Sequence, residues 1–94
     1  MTLSLDAAVR IPEDVVFREL DGEAVILNLE TGIYFGLDAV GTRFWQLLDT
    51  HRTLRRTLEA LEAEFDAPAE RLASDLTELV GQLQSKGLVS VSVV

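Results

Sequence analysis

The stretch of sequence that decides the fold is Glu30-Thr31-Gly32-Ile33-Tyr34-Phe35-Gly36-Leu37-Asp38. It predicts a turn, then a short apolar strand, then a residue that caps a helix. The interior of this strand contains no proline, no lysine and no other charged residue. Edge strands usually carry such residues, because a bare edge pairs with any other strand. If this strand is the outermost of its sheet, its open side is a candidate docking site for an extended peptide.

The residues before this stretch predict two further strands. Val15 to Leu20 forms the first, and Asp21-Gly22 is typical of a two-residue hairpin turn. Glu23 to Leu29 is the returning strand, in which Ala24, Ile26 and Asn28 share one face. Ile33 to Leu37 then follows as the third strand of an antiparallel meander.

After Asp38 the apolar spacing changes to that of helices. Asp38 and Thr53 are placed to cap the first two helices, and Asp66-Ala67-Pro68 opens the third, which ends at Gly87. The predicted apolar stripes are Val40, Phe44, Leu47 and Leu48; Leu54, Leu58, Leu61 and Phe65; and Leu72, Leu76, Leu79, Val80 and Leu83. The order predicts an α+β, winged-helix-like fold in which a three-stranded antiparallel sheet is followed by three helices.

The length of 94 residues predicts one domain over residues 1–94. Residues 1–13 are expected to be an extended N-terminal segment, because Pro12 interrupts regular structure. Residues 88–94 alternate valine with serine and are expected to be a C-terminal strand or a tail. The N-terminus lacks the pattern of a signal peptide, no apolar run is long enough to span a membrane, and cysteine is absent. We therefore expect a cytoplasmic protein.

The net charge of −8 disfavours anionic partners. Nucleic-acid backbones and anionic lipid headgroups are repelled by such a domain, so we expect neither a nucleic-acid nor a membrane partner. Residues 1–38 contain eight acidic residues and two arginines, a net of −6, so a basic partner would be attracted to this half.

The sequence offers little for catalysis. His51 is the one histidine and lies in a polar loop, without a nucleophile motif near it. Glu59, Glu62 and Glu64 do not share a tight helical face, and the glycines do not form a phosphate-binding loop. We expect no enzyme activity, no metal site and no cofactor.

A DNA-binding regulator is an alternative for a winged-helix-like chain. The basic cluster at residues 51–56 is either a solvated helix start or a contact for a protein partner. In a helix-turn-helix reader the third helix of this chain would enter the major groove. That helix carries Glu70, Asp75 and Glu78 against Arg71 and Lys86, so the groove would repel it.

Three occupants of the bare strand edge are compatible with the sequence. The chain itself would cover the edge if residues 88–94 or the N-terminal segment paired there. A second copy would make the protein a homodimer or a scaffold module. A peptide would add a strand, with Leu72, Leu76 and Leu79 as an apolar floor. Asp75 and Glu78 would flank this floor and favour a peptide that carries lysine or arginine. Phe35→Pro is then expected to weaken peptide binding without unfolding the domain, and Tyr34 lies either under the helices or at the rim of the edge.

Residues 25–38, followed by Val40-Gly41 and Phe44-Trp45-Gln46-Leu47-Leu48, resemble the PqqD-like family. The later spacing of Leu58, Leu61, Phe65, Asp75, Leu79, Leu83 and Gly87-Leu88-Val89 does so too. Asp38 stands where the family has asparagine more often, and either residue caps a helix. The chain looks closer to the stand-alone domains of lasso-peptide and other pathways than to the member of the pyrroloquinoline-quinone pathway.

The resemblance implies a non-catalytic chaperone that captures the leader of a ribosomally made precursor peptide by strand addition. Such domains present the leader to a modifying enzyme, which here would be a radical enzyme, a leader protease or a cyclase. The implied peptide-binding residues are Ile33, Tyr34, Phe35, Gly36 and Leu37 on the third strand, and Leu72, Asp75, Leu76 and Leu79 on the third helix, with Leu83 as a further candidate.

Overall fold

The computed structural model describes residues 5–92. In chain order its elements are β1 (Ala8–Arg10), β2 (Val15–Leu20), β3 (Glu23–Asn28), β4 (Tyr34–Leu37), α1 (Ala39–His51), α2 (Leu54–Glu64), α3 (Ala69–Ser85) and β5 (Ser90–Ser92). The predicted order of three antiparallel strands followed by three helices is confirmed as β2, β3 and β4 followed by α1, α2 and α3. None of the helices in residues 5–92 is long and apolar enough to cross a membrane.

The three-stranded sheet has the order β2-β3-β4 and is built from two hairpins. Asp21 and Gly22 both have positive φ, at 55° and 82°, as the predicted two-residue turn requires. Phe17 pairs with Ile26, and Ile26 pairs with Phe35, so these side chains share the face that meets the helices. Ala24, Ile26 and Asn28 are buried, which confirms the predicted inner face of β3.

A second, two-stranded sheet pairs β1 with β5 in antiparallel register. The part of residues 88–94 that the structure describes therefore pairs with the N-terminal segment and not with β4. The N-terminal segment also meets the start of α2, where Leu54 and Arg55 donate their N–H groups to the carbonyls of Ala7 (3.1 Å) and Leu5 (2.9 Å). The first N–H groups of a helix have no partner within the helix, so this extended chain satisfies them.

The core lies between the inner face of the sheet and the three helices. Phe17 stacks on Trp45 with 6.2 Å between ring centroids, and Phe44 meets Phe65 edge-on at 5.8 Å. Val40 was predicted in the buried stripe of α1 but is 52% exposed, whereas Phe44 and Trp45 are buried. Val40 lies in the first turn, one turn before those aromatic rings, so the stripe of α1 begins later than its spacing indicates.

A polar network on the surface links the sheet to two helices. The Arg43 guanidinium makes two hydrogen bonds to the Glu64 carboxylate, at 2.6 and 2.7 Å, and a third to Gln46 at 3.1 Å. Gln46 in turn donates to Glu19 of β2 at 2.7 Å. The hydrogen bonds from Arg43 lower the pKa of Glu64. The contact is therefore complete at neutral pH and is lost as acid protonates that carboxylate.

Asp38 joins β4 directly to α1, because its Oδ1 accepts the Gly41 N–H at 2.7 Å. Asp38→Ala is expected to lower the free energy of unfolding by about 1 kcal/mol through loss of this cap. The melting temperature, followed by Trp45 fluorescence, is then expected to fall by about 4–8 °C. Asp38→Asn is the matched control, since it keeps an oxygen acceptor. Equal losses in the two variants would contradict a capping role.

Candidate functional site

β4 is the outer strand of its sheet. Its inner side pairs with β3 in the register Ala24↔Leu37, Val25↔Gly36, Ile26↔Phe35 and Leu27↔Tyr34. Within residues 5–92, no strand pairs with its other side. The strand that sequence analysis singled out therefore has an open edge along its whole length.

The hydrogen-bonding pattern decides which groups this edge presents. The Asn28 N–H donates to the Ile33 carbonyl at 2.9 Å, in line with the register of the ladder. Every second residue of an antiparallel strand bonds to a given neighbour, so Phe35 and Leu37 bond to β3. The N–H and C=O groups of Tyr34 and Gly36 consequently point away from the sheet. The edge offers two donors and two acceptors, repeating at about 7 Å along the strand.

The hairpin between β2 and β3 independently predicts the same alternation of hydrogen bonds along β3. A two-residue turn is closed by a hydrogen-bonded pair, which here is Leu20 with Glu23. Odd-numbered residues of β3 therefore bond to β2, and even-numbered residues bond to β4. The expectation that proline at Phe35 would spare the fold is wrong on this geometry, because the Phe35 N–H is directed at Ile26.

A pair of proline substitutions tests the alternation. Phe35→Pro is expected to lose about 1–3 kcal/mol of stability beyond Phe35→Ala, because it removes a hydrogen bond inside the sheet. Gly36→Pro removes only an outward N–H, which an edge strand tolerates, and is expected to change stability less. Thermal unfolding of the three variants measures both effects. A larger loss in Gly36→Pro than in Phe35→Pro would reverse the assignment of the outward groups.

The side chains of the edge divide between two faces. Leu37 is buried and Phe35 is half-buried on the helix side of the sheet. Tyr34 is 69% exposed, which places it at the rim of the edge and not under the helices. Ile33, just before β4, is 42% exposed, and a Cβ added at Gly36 would meet no atom within 4 Å. Space for a visiting side chain is therefore present on both sides of the strand.

The predicted residues of α3 lie at different depths. Leu72, Leu76 and Leu83 are buried in the core, at 4%, 0% and 0% exposure. Asp75 is exposed and Leu79 is half-buried, so these two side chains reach the surface of the helix. Asp75 is 4.0 Å from Arg71, and both side chains are well exposed, so this ion pair is weak.

Asn28 holds the turn before β4 and links that turn to the end of α3. The sequence predicted its place on the inner face of β3 but no role for it. Its side-chain oxygen accepts the N–H groups of Glu30 (2.9 Å) and Thr31 (3.2 Å), which shapes the turn into β4. Its side-chain nitrogen donates to the Gly87 carbonyl at 3.0 Å, just after α3. The sequence indicates such a role only in one way: Asn28 is the polar residue of the predicted inner face, and a buried side-chain amide needs hydrogen-bond partners.

Two substitutions separate these roles of Asn28. Asn28→Asp keeps the oxygen that accepts both N–H groups of the turn and replaces the donor to Gly87 with an acceptor, whereas Asn28→Ala loses all three side-chain hydrogen bonds. Asn28→Ala is expected to cost about 1–3 kcal/mol in unfolding free energy. Hydrogen exchange of the Glu30 and Thr31 amides is expected to speed up in Asn28→Ala and to stay slow in Asn28→Asp. Fast exchange in both variants would show that the turn does not depend on the side-chain oxygen.

The described residues give no support for a metal centre, and their basic cluster is largely neutralised. No group of three potential metal-ligating side chains occurs within residues 5–92.

Arg52 contacts Asp49 at 2.8 Å, and Arg55 contacts Asp6 at 2.9 Å. Two arginines of the cluster thus have carboxylate partners, which weakens the case for a nucleic-acid surface there.

Comparisons with known proteins give consistent findings. The family model for coenzyme PQQ synthesis protein D (PqqD) matches residues 23–89, more than half of the chain. A solved structure of TbiB1 in complex with the TbiA(beta) leader peptide is 37% identical, with a TM-score of 0.79, and the match covers 86% of this chain and 94% of that one. Lasso peptide synthetase B1 complexed with the leader peptide is 19% identical, with a TM-score of 0.76 over 88% of this chain and 98% of that one, a likeness of fold. The search of curated proteins found no match.

Proposed function

Because the chain belongs to the PqqD family, we propose that it is a non-catalytic chaperone for a ribosomally made precursor peptide. It captures the leader of that peptide by strand addition on β4 and presents it to a modifying enzyme. The solved relative at 37% identity was itself seen with a leader peptide, which supports this choice of ligand. The cytoplasm, where precursor peptides are made, is the proposed location.

The observation that carries the proposal is the open edge of β4, with the main-chain groups of Tyr34 and Gly36 directed outward. Four main-chain hydrogen bonds to a peptide contribute about 2–6 kcal/mol together. A micromolar complex needs about 8 kcal/mol. Main-chain pairing alone is therefore too weak, and side-chain contacts beside the edge supply the remainder.

The proposed peptide-binding residues differ in their roles. Tyr34 and Gly36 bond to the peptide main chain, while Phe35 and Leu37 hold β4 against β3. On α3, the surface residues Leu79 and Asp75 contact peptide side chains, and Asp75 favours a basic residue. Ile33 is an exposed apolar contact for the peptide. Leu72, Leu76 and Leu83 are buried and hold α3 in place.

The electrostatics of the chain favour such a ligand. The net charge of −8 attracts a basic peptide and repels a nucleic-acid backbone. No contact in the described residues favours the DNA-binding alternative, since Arg52 and Arg55 have acidic partners within the chain.

The proposal is tested by titrating the ¹⁵N-labelled chain with a synthetic leader of the precursor peptide encoded beside its gene. The Tyr34 and Gly36 amides are expected to shift most, because they gain hydrogen bonds. Gly36→Pro is expected to weaken affinity by about two- to tenfold relative to Gly36→Ala, which keeps the N–H. Shifts concentrated at residues 52–56, or equal affinity of the two variants, would refute strand addition at β4.

A further inference from the structure

The three-stranded sheet has a second face, directed away from the helices, that carries several exposed apolar side chains. Alternate residues of each strand form it, and the register aligns them in rows across the sheet. We call this surface the outer sheet face. It consists of Val16, Arg18, Leu20, Glu23, Val25, Leu27, Tyr34 and Gly36.

Large apolar side chains on this face are open to solvent. Leu20 is 77% exposed, Tyr34 is 69% exposed and Val25 is 44% exposed, while Val16 and Leu27 are half-buried beside them. A one-sided antiparallel sheet normally turns polar residues to water. Exposed apolar side chains grouped on one face of a small protein favour an interaction site.

A notch lies in the middle row of this face. Gly36 occupies the position beside Val25, and a Cβ there would meet no atom within 4 Å. The residues that line this space are Arg18, Leu20, Glu23, Ala24, Val25, Gly36, Leu37 and Asp38. The missing side chain thus leaves room for an apolar side chain from another molecule.

The charges around the notch select the kind of molecule. Glu23 and Asp38 stand against Arg18 in its lining, a local net charge of −1, and the whole chain carries −8. A second copy would bring the same acidic rim against this one and would be repelled. A foreign protein that carries an apolar side chain inside a ring of lysine or arginine complements both the notch and its rim.

We propose that the outer sheet face is the docking surface for the peptide-modifying enzyme, which inserts an apolar side chain beside Gly36 and surrounds it with basic residues. The identity of the partner rests on the proposed function, whereas the surface itself rests on exposure and charge. A peptide strand paired with β4 would extend this face by one strand, because Tyr34 and Gly36 belong to both surfaces. The enzyme would then contact the chaperone and its bound peptide together.

The experiment measures binding of each enzyme encoded beside the gene to the unmodified chain and to three variants by calorimetry. Leu20→Asp and Val25→Asp are expected to weaken binding at least about tenfold, since each places a carboxylate in the apolar contact. Val40→Asp is the matched control, because Val40 is 52% exposed but lies on α1, outside the sheet and outside the lining of the notch. Its affinity is expected to stay within about twofold of the unmodified chain. Binding is also expected to weaken with added salt.

Several results would overturn the proposal. These are no binding of any such enzyme to the unmodified chain, equal affinities of Leu20→Asp and Val40→Asp, and self-association in sedimentation that Leu20→Asp abolishes. Circular dichroism of each variant confirms that it is folded. Leader-peptide titration of Leu20→Asp separates the two proposals, because Leu20 lies on β2, away from the β4 edge. Loss of enzyme binding with unchanged peptide affinity assigns the two ligands to two surfaces.

Discussion

The hydrogen bonds of Asn28 are the constraint on which the rest of the site depends. Its N–H bonds to Ile33, which fixes which residues of β4 face β3 and which face outward. Its side chain closes the turn at Glu30 and Thr31 and reaches the Gly87 carbonyl beyond α3. One residue therefore sets both the alternation of the edge and its tie to the end of α3. Because the amide is largely buried, its groups stabilise the structure only while each has a partner.

The two surfaces of the sheet follow from that alternation. Residues of β4 that bond to β3 turn their side chains to the core, as Phe35 and Leu37 do. Tyr34 and Gly36 have outward main-chain groups. The Tyr34 side chain lies on the opposite face, where Gly36 leaves open space. A peptide on the edge and a protein on the outer sheet face would consequently use the same two residues. The peptide would bond to their main-chain groups, and the protein would contact the face on which they lie.

The relation between α3 and the edge is less direct than a simple apolar groove. Leu72 and Leu76 are core residues, so in this structure they support the helix instead of facing a ligand. Leu79 and Asp75 are the predicted positions that reach its surface. Since main-chain pairing provides only part of a micromolar affinity, these side chains and Ile33 carry much of the selectivity in the proposed complex.

The sequence by itself determined the order of β2 to β4 and α1 to α3, the Asp21-Gly22 turn, the caps at Asp38 and Thr53, and the uncharged interior of β4. These features depend on local backbone preferences and on the period of apolar residues, which neighbouring positions reveal. Tertiary structure decided that the C-terminal strand pairs with Ala8–Arg10 and leaves β4 open, and that Val40 lies outside the core. It also decided which amides of β4 face outward and that Asn28 meets Gly87, 59 residues away. Those outcomes depend on contacts between distant segments, and a pattern read along the chain carries no information on which distant group satisfies a given donor.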